Sequence, residues 1–324
     1  MTWLAALERH RRRGDACVLV TIVGLEGSGP RGVGARMLVS GAGSVDTVGG
    51  GALEHAARAH ARAMLETGGS APRVEHRRWT LGRALSQCCG GRATLAFEYL
   101  PPSDFRLEVF GAGHVARELA ALARRLPCIA TFHDPRIGWL ARIGADEPVG
   151  TVPDLDLGPA PAEGPGTVRA SVLAENVHGA VERCRPGGLY LVMTHSHELD
   201  LEVCEAVLSR GDARYLGLIA SGSKARAFRG RLARKGFTDA ELEGLTAPLG
   251  RATGVATGNT PMEVAVAAMA DVLTARERAR SAAPAAGAAP ATAARADASR
   301  ASAPEVPDDA DARDAPPADA SGAG

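Results

Sequence analysis

An α/β fold is predicted for this chain: a parallel, doubly wound sheet with helices on both faces, preceded by a smaller α+β domain and followed by a disordered tail. Three observations predict it. Past Pro101 and Pro102, strand-like and helix-like stretches alternate, beginning R-L-E-V-F, then G-A-G-H-V-A-R-E-L-A-A-L-A-R-R, then C-I-A-T-F-H-D-P-R. That alternation is the pattern of parallel strands joined by crossover helices. Before those prolines, strand-like runs are separated by glycine-rich turns and one long helical stretch. From about Ala275 the chain is mostly Ala, Pro, Asp and Ser, which buries too little apolar surface to offset the entropy of ordering. Domains are therefore placed at 1–103, 104–274 and 275–324.

The elements follow in order. Residues 2–13 read as an amphipathic helix with Trp3, Leu4 and Leu7 on one side. C-V-L-V-T-I-V at 17–23 is a β-branched strand. Arg11, Arg12 and Arg13 before it imitate a secretion signal, but no small-residue cleavage site follows. A turn-rich stretch then leads to a strand at Ala35–Val39. V-G-G-G opens the helix A-L-E-H-A-A-R-A-H-A-R-A-M-L-E, and residues 92–100 form a further strand. In the second domain, strands are expected at Leu189–Thr194 and Tyr215–Ile219, with a helix starting near Asp200.

Composition bounds the function. The chain has 324 residues, no formal net charge, 45% hydrophobic and 23% charged residues, so no basic excess points to nucleic acid or an anionic membrane surface. Six cysteines at 17, 88, 89, 128, 184 and 204 show no framework spacing, as in a reducing cytoplasm. No segment is apolar for long enough to span a bilayer. The expected location is cytoplasmic.

Four stretches could carry chemistry. Gly111-Ala112-Gly113-His114-Val115-Ala116 matches the dinucleotide fingerprint between a strand and a helix, so the second domain reads as Rossmann-like, with phosphate facing Gly111 and Gly113. Asp134, about twenty residues on, stands where an acid takes a ribose hydroxyl. T-H-S-H-E-L-D ends a strand at the ligand-binding edge of the sheet. There His195 is expected to face ligand; His195 and His197 with His114, His133 and Asp134 would form a metal site, or, as the favoured reading, His195 hydrogen-bonds the sheet crevice while Asp200 caps the next helix. G-S-G-P-R-G-V-G carries Arg31, and G-S-K-A-R carries Lys224 and Arg226; each is an anion site or a solvated face. Cys88 and Cys89, followed by two glycines, lack the spacing of a zinc knuckle and cannot easily bridge each other. As accessible thiolates they would be reactive or would ligate a soft or sulfur-bound metal.

Together G-S-G-P-R-G-V-G-A-R-M-L-V, V-G-G-G-A-L-E, S-Q-C-C-G-G-R, V-F-G-A-G-H-V-A-R-E-L, D-P-R, V-M-T-H-S-H-E-L-D and L-G-L-I-A-S resemble the xanthine dehydrogenase accessory proteins of XdhC/CoxI type, over nearly all of residues 15–270. The C-C-G-G form is similar to members that serve xanthine dehydrogenase. Ala220 and Gly222 depart from the family's glycine and arginine. The resemblance implies a maturation factor that does not itself turn over purine. It implies a chaperone that binds the molybdenum cofactor (molybdopterin), supports its sulfuration by a cysteine desulfurase and inserts it into apo xanthine dehydrogenase. It also implies site roles: Cys88 and Cys89 at the molybdenum centre, Gly111, Gly113, His114, Asp134 and His195 around pterin phosphate or a nucleotide, and Arg31 on phosphate across a domain cleft. A homodimer is left open. The rival readings are an NAD(P)-dependent oxidoreductase, argued from the fingerprint and Asp134, an interaction module without ligand, and a metal hydrolase using His195 and His197.

Overall fold

The computed structural model describes residues 1–81, 91–144, 147–148, 165–173, 176–250, 254 and 260–282. Cys88 and Cys89 lie outside these, as does everything beyond Ala282. Contacts divide the chain into Met1–Ala286 and Gly287–Gly324, and the described residues all belong to the first unit.

The first helix, α1 (Trp3–Arg13), starts where the Thr2 hydroxyl accepts from the Ala5 N–H and stops at Gly14 in the left-handed conformation. Then come β1 (Cys17–Glu26), β2 (Arg36–Ser40), β3 (Gly43–Asp46), α2 (Gly51–Thr67), β4 (Arg73–Thr80) and β5 (Arg92–Leu100). The five strands pair antiparallel in the order β3-β2-β1-β5-β4. β1 reads as a continuous apolar run because both of its faces are covered. Val18, Val20 and Ile22 meet Leu53, Ala57, Ala61 and Met64 of α2, and Cys17 and Leu19 meet Ala6 of α1. β4, R-V-E-H-R-R-W-T, is an edge strand with mostly exposed or half-exposed side chains. Its charges hid it from a hydrophobic reading, and β3 was also unread.

The second domain runs β6 (Arg106–Phe110), α3 (His114–Arg124), β7 (Ile129–Asp134), α4 (Ile137–Leu140), β8 (Glu147–Pro148), β9 (Thr167–Val172), α5 (Val177–Arg183), β10 (Leu189–Val192), α6 (His197–Arg210), β11 (Tyr215–Leu218), α7 (Gly222–Arg234), α8 (Asp239–Glu243), β12 (Leu245–Thr246) and α9 (Pro261–Ala282). Its sheet is parallel in the order β12-β11-β10-β6-β7-β9-β8, so the expected Rossmann-like fold is present. Side chains alternate between two cores. Leu107 and Val109 of β6 face α3 and α9, while Phe110 faces the side covered by α5, α6 and α7. The helix α9 continues past Ala275 to Ala282, which moves the boundary of the tail. There Arg276 lies over the Phe105 ring and pairs with Asp104 at 3.0 Å. No helix among the described residues is long and apolar enough to cross a membrane.

Among the described residues, the hydrogen bonds that tie the second domain and the residue just before it to the first converge on the turn after α1. Ser103 N–H donates to the Gly14 carbonyl at 3.1 Å. The Arg106 guanidinium donates to the carbonyls of Arg13 and Gly14, each at 2.7 Å, and Arg185 pairs with Asp15. This seam meets the amino ends of β6 and β7, opposite the glycine turn.

Candidate functional site

β6 and β10 are neighbours at the point where the strand order reverses, and ligands bind at the carboxyl ends of such strands. Gly111 turns the chain from β6 into α3. Its φ is 120°, its N–H donates to the His133 carbonyl at 2.8 Å, and a Cβ on it would stand 2.7 Å from the Met193 carbonyl carbon. Only glycine fits there. Gly113 differs: its φ is −74°, it precedes α3 without a side-chain cap, and a Cβ on it would meet nothing within 4 Å. The first amides of α3 are thus left without a protein cap, and a helix N-terminus in that state attracts an anion.

Asp134, fully buried at the end of β7, sits beside this turn. One carboxylate oxygen accepts from the Ala112 N–H and from Arg136 Nη2, both at 2.8 Å; the other accepts from the Arg136 N–H at 2.9 Å and its Nε at 2.8 Å. The expected ribose acid therefore clamps the glycine turn to D-P-R, and both oxygens are occupied. Burial alone would raise this carboxyl, but the hydrogen bonds from Arg136 and Ala112 outweigh it and hold it below the ordinary value. A depressed carboxyl contributes stability above its unfolded value, about pH 4, and loses it as pH falls through the folded value. The melting temperature of wild type is accordingly expected to exceed that of Asp134→Asn by a constant margin from pH 5 to 8, and by less below about pH 4. A margin independent of pH would show that the carboxylate charge is not what holds the turn.

Around the turn, the Trp139 ring meets His114 edge-on at 5.3 Å and carries the guanidinium groups of Arg136 and Arg142 at 5.1 and 5.0 Å. A cavity of about 40 Å³ lies between Gly113, His114, Arg117, Trp139 and Arg142. It has room for one small polar group and is far below the roughly 300 Å³ of a whole-ligand pocket.

On the β10 side, the capping is done by Ser196, whose hydroxyl accepts from the Glu198 and Leu199 N–H groups. Asp200, expected as the cap, lies further in and buried. It accepts from the Thr194 N–H at 2.8 Å and pairs with Lys224 Nζ at 2.7 Å. Lys224 is thereby taken from any phosphate, and Arg226 is exposed. His195 is exposed on the crevice loop; His197 stands edge-on to Phe228 at 6.4 Å. Among the described residues these two histidines join no metal-ligating group. His133 leaves them altogether, its Nε2 meeting Glu108 at 2.8 Å on the α5 side of the sheet.

Three glycine-rich stretches meet in the first domain. A Cβ on Gly49 would touch the Pro30 side chain, and one on Gly91 would overlap the backbone of Glu26 and Ser28. The Leu81 N–H donates to the Gly91 carbonyl at 2.7 Å, so the residues flanking the Cys88–Cys89 stretch are pinned together beside the G-S-G-P-R-G loop. Gly49, Gly50 and Gly51 all have positive φ, at 128°, 73° and 62°. Glu54, missed by sequence reasoning, braces them: it accepts from the Gly50 N–H at 3.0 Å and from Thr47, and pairs with Arg58. Burial opposes that carboxylate, and these donors hold it charged below its ordinary value. Arg31 is exposed on this loop. β1 carries the loop about 30 Å from the interdomain seam at Gly14, at about 3.3 Å per residue, and no described contact joins Arg31 to the Gly111 turn.

The family models agree with this division. The XdhC Rossmann domain matches residues 107–272, just over half of the chain, and the XdhC and CoxI family matches residues 10–77. The uncharacterized protein YqeB of Escherichia coli strain K12 is 30% identical over 266 residues, which are 81% of this chain. The chain spans only 44% of that relative's length. The crystal structure of a xanthine dehydrogenase from Bacillus halodurans aligns with a TM-score of 0.40 and 18% identity, over 88% of this chain and 98% of that one. With both of its domains matched in order, the chain belongs to the XdhC and CoxI family.

Proposed function

We propose that this chain is an accessory protein of xanthine dehydrogenase maturation that binds and shields the molybdenum cofactor. It would support sulfuration by a cysteine desulfurase and hand the cofactor to the apo-enzyme's molybdenum subunit. The observation that carries the reading is the meeting of G-S-G-P-R-G, V-G-G-G and the end of C-C-G-G at one place, through Pro30 on Gly49 and Ser28 on Gly91. These stretches are distant in sequence, and glycine is required at both contacts.

The residues suit the cofactor's anionic parts. A Cβ on Gly32, Gly34 or Gly50 would meet nothing within 4 Å, so bare backbone is open beside Arg31, whose guanidinium pairs with phosphate in two-pronged fashion. When bound, the cofactor supplies a molybdenum centre with an exchangeable terminal ligand. Cys88 and Cys89 would hold or protect it and Arg31 would orient its phosphate, while the α3 N-terminus at Gly113 and His114 would take the phosphate of a separately bound nucleotide. His195 would close the crevice. The oxidoreductase alternative loses support at Asp134, since a ribose hydroxyl would have to displace Arg136 or Ala112 from it.

Protein purified without oxygen from a host that makes the cofactor is expected to retain molybdenum and the fluorescent oxidised pterin. Cys88→Ser or Cys89→Ser is expected to lose both, with a drop of about tenfold or more for loss of a metal-contacting thiolate. Equal retention by all three would leave a carrier whose thiols do not hold the metal. Nicotinamide dinucleotide in place of pterin would overturn the reading.

A further inference from the structure

β6 breaks the rule for a central parallel strand, which is buried on both faces and normally apolar. Its middle residue, Glu108, is buried, with its side chain 11% exposed, and turns toward α5. There it meets His133 of β7, whose Nε2 lies 2.8 Å from the carboxylate and whose ring stacks on Phe110 at 4.6 Å. The His133 side chain is 7% exposed, and its second nitrogen, Nδ1, has no hydrogen-bond partner. At the end of α5, Cys184 brings its buried thiol to the same place. One ligand atom each from Glu108, His133 and Cys184 lie within 4.8 Å of one another. The thiol donates to the Ala180 carbonyl at 3.3 Å.

We propose that Glu108, His133 and Cys184 form a binding site for a divalent, zinc-class cation. The set combines one imidazole with a carboxylate and a thiolate, the types zinc takes, and three protein ligands leave one position open. Two anionic ligands balance the ion's charge against the arginines nearby. The open position faces a cavity of about 320 Å³ whose wall includes Thr131, Ser171, Arg106, Arg169 and Arg183, so an anion or water completes the shell. On binding, a metal–sulfur bond forms and the thiol proton leaves to solvent. Burial keeps that thiol protonated without metal. The Glu108–His133 hydrogen bond opens as both turn to the ion. A Glu–His hydrogen bond engages one imidazole nitrogen and needs no thiol beside it; a bound cation would give the three side chains a common partner. The site lies by the interdomain seam and is independent of the cofactor reading.

The probe is Co²⁺, then Zn²⁺, titrated anaerobically into the full chain carrying Cys88→Ser and Cys89→Ser, so that those thiols contribute nothing. One Co²⁺ per chain is expected, with a sulfur-to-cobalt charge-transfer band that Zn²⁺ abolishes. Cys184→Ser is expected to remove the band, and Glu108→Gln to weaken binding about tenfold or more. Absence of the band in the parent chain, or its persistence in Cys184→Ser, would overturn the proposal. Should Cys184→Ser fail to fold, the parent chain and Glu108→Gln decide it: no band, or an affinity unchanged in Glu108→Gln, overturns it. Pterin retention is read separately and does not depend on this outcome.

Discussion

Gly111→Ala is expected to destabilise the second domain by about 3 kcal/mol or more, because a positive φ and a backbone clash each cost on the order of 1–3 kcal/mol. The added methyl would collide with the Met193 carbonyl. That carbonyl cannot swing aside, since the Met193 N–H is held by Phe110 O at 2.8 Å and the next amide by Asp200. The two loops at the strand-order reversal are thus pressed together through Gly111. Gly113→Ala is the matched control. Its φ already suits alanine and its Cβ points into open space, so folding should change by less than about 1 kcal/mol. The methyl would stand at the mouth of the α3 N-terminus, and a phosphate seated there should be lost. Denaturant midpoints and bound pterin or nucleotide, measured on both variants, separate the roles. A Gly113→Ala chain that keeps its full ligand would remove the α3 N-terminus from the site.

Asp200→Ala is the second large effect, expected at about 3 kcal/mol, toward the lower end for breaking a buried ion pair. Asp200 is 1% exposed and Lys224 16% exposed at the side chain. Losing the carboxylate strands the ammonium and the Thr194 N–H together. The Ile219 carbonyl, at 3.3 Å, is the only other acceptor Lys224 has among its described hydrogen bonds, and a neutral oxygen does not balance its charge. Replacing both groups, as Asp200→Asn with Lys224→Met, should recover part of the loss, because an apolar or neutral pair avoids the uncompensated charge. Chemical denaturation of the two single variants and the double one gives the coupling directly. A double variant no more stable than Asp200→Ala would show that the pair is not the source of the effect.

Asp134 and Asp200 play the same part on either side of the reversal point. Each is buried and accepts from the second loop amide after a strand, Ala112 in one case and Thr194 in the other. Each balances a cation that follows it in sequence, Arg136 or Lys224. A motif reading assigns the first to a ribose and the second to a helix cap, since Asp at a strand end or near a helix start fits both. Which atoms those oxygens meet depends on how β6, β7 and β10 lie together, and no local pattern carries that.

The alternation of strands and helices, the glycine turn, the long helix after V-G-G-G and the family were legible in the residues themselves. They rest on local signals: hydrophobic period, positive-φ demand and helix starts act within a few residues. Other features were not local. β4 became a strand by pairing with β5 along its whole length, despite its charges. α9 passed Ala275 because Asp104 and Phe105 receive Arg276. The sequence pattern by itself determined that a smaller α+β domain precedes a Rossmann-like α/β domain and that a glycine turn follows the first strand of the second. Tertiary structure decided which approaches: Pro30 on Gly49, Ser28 on Gly91, Met193 on Gly111. It also placed Glu108, His133 and Cys184 together, from two strands and a helix end, because adjacent parallel strands align residues that the sequence separates by a whole crossover.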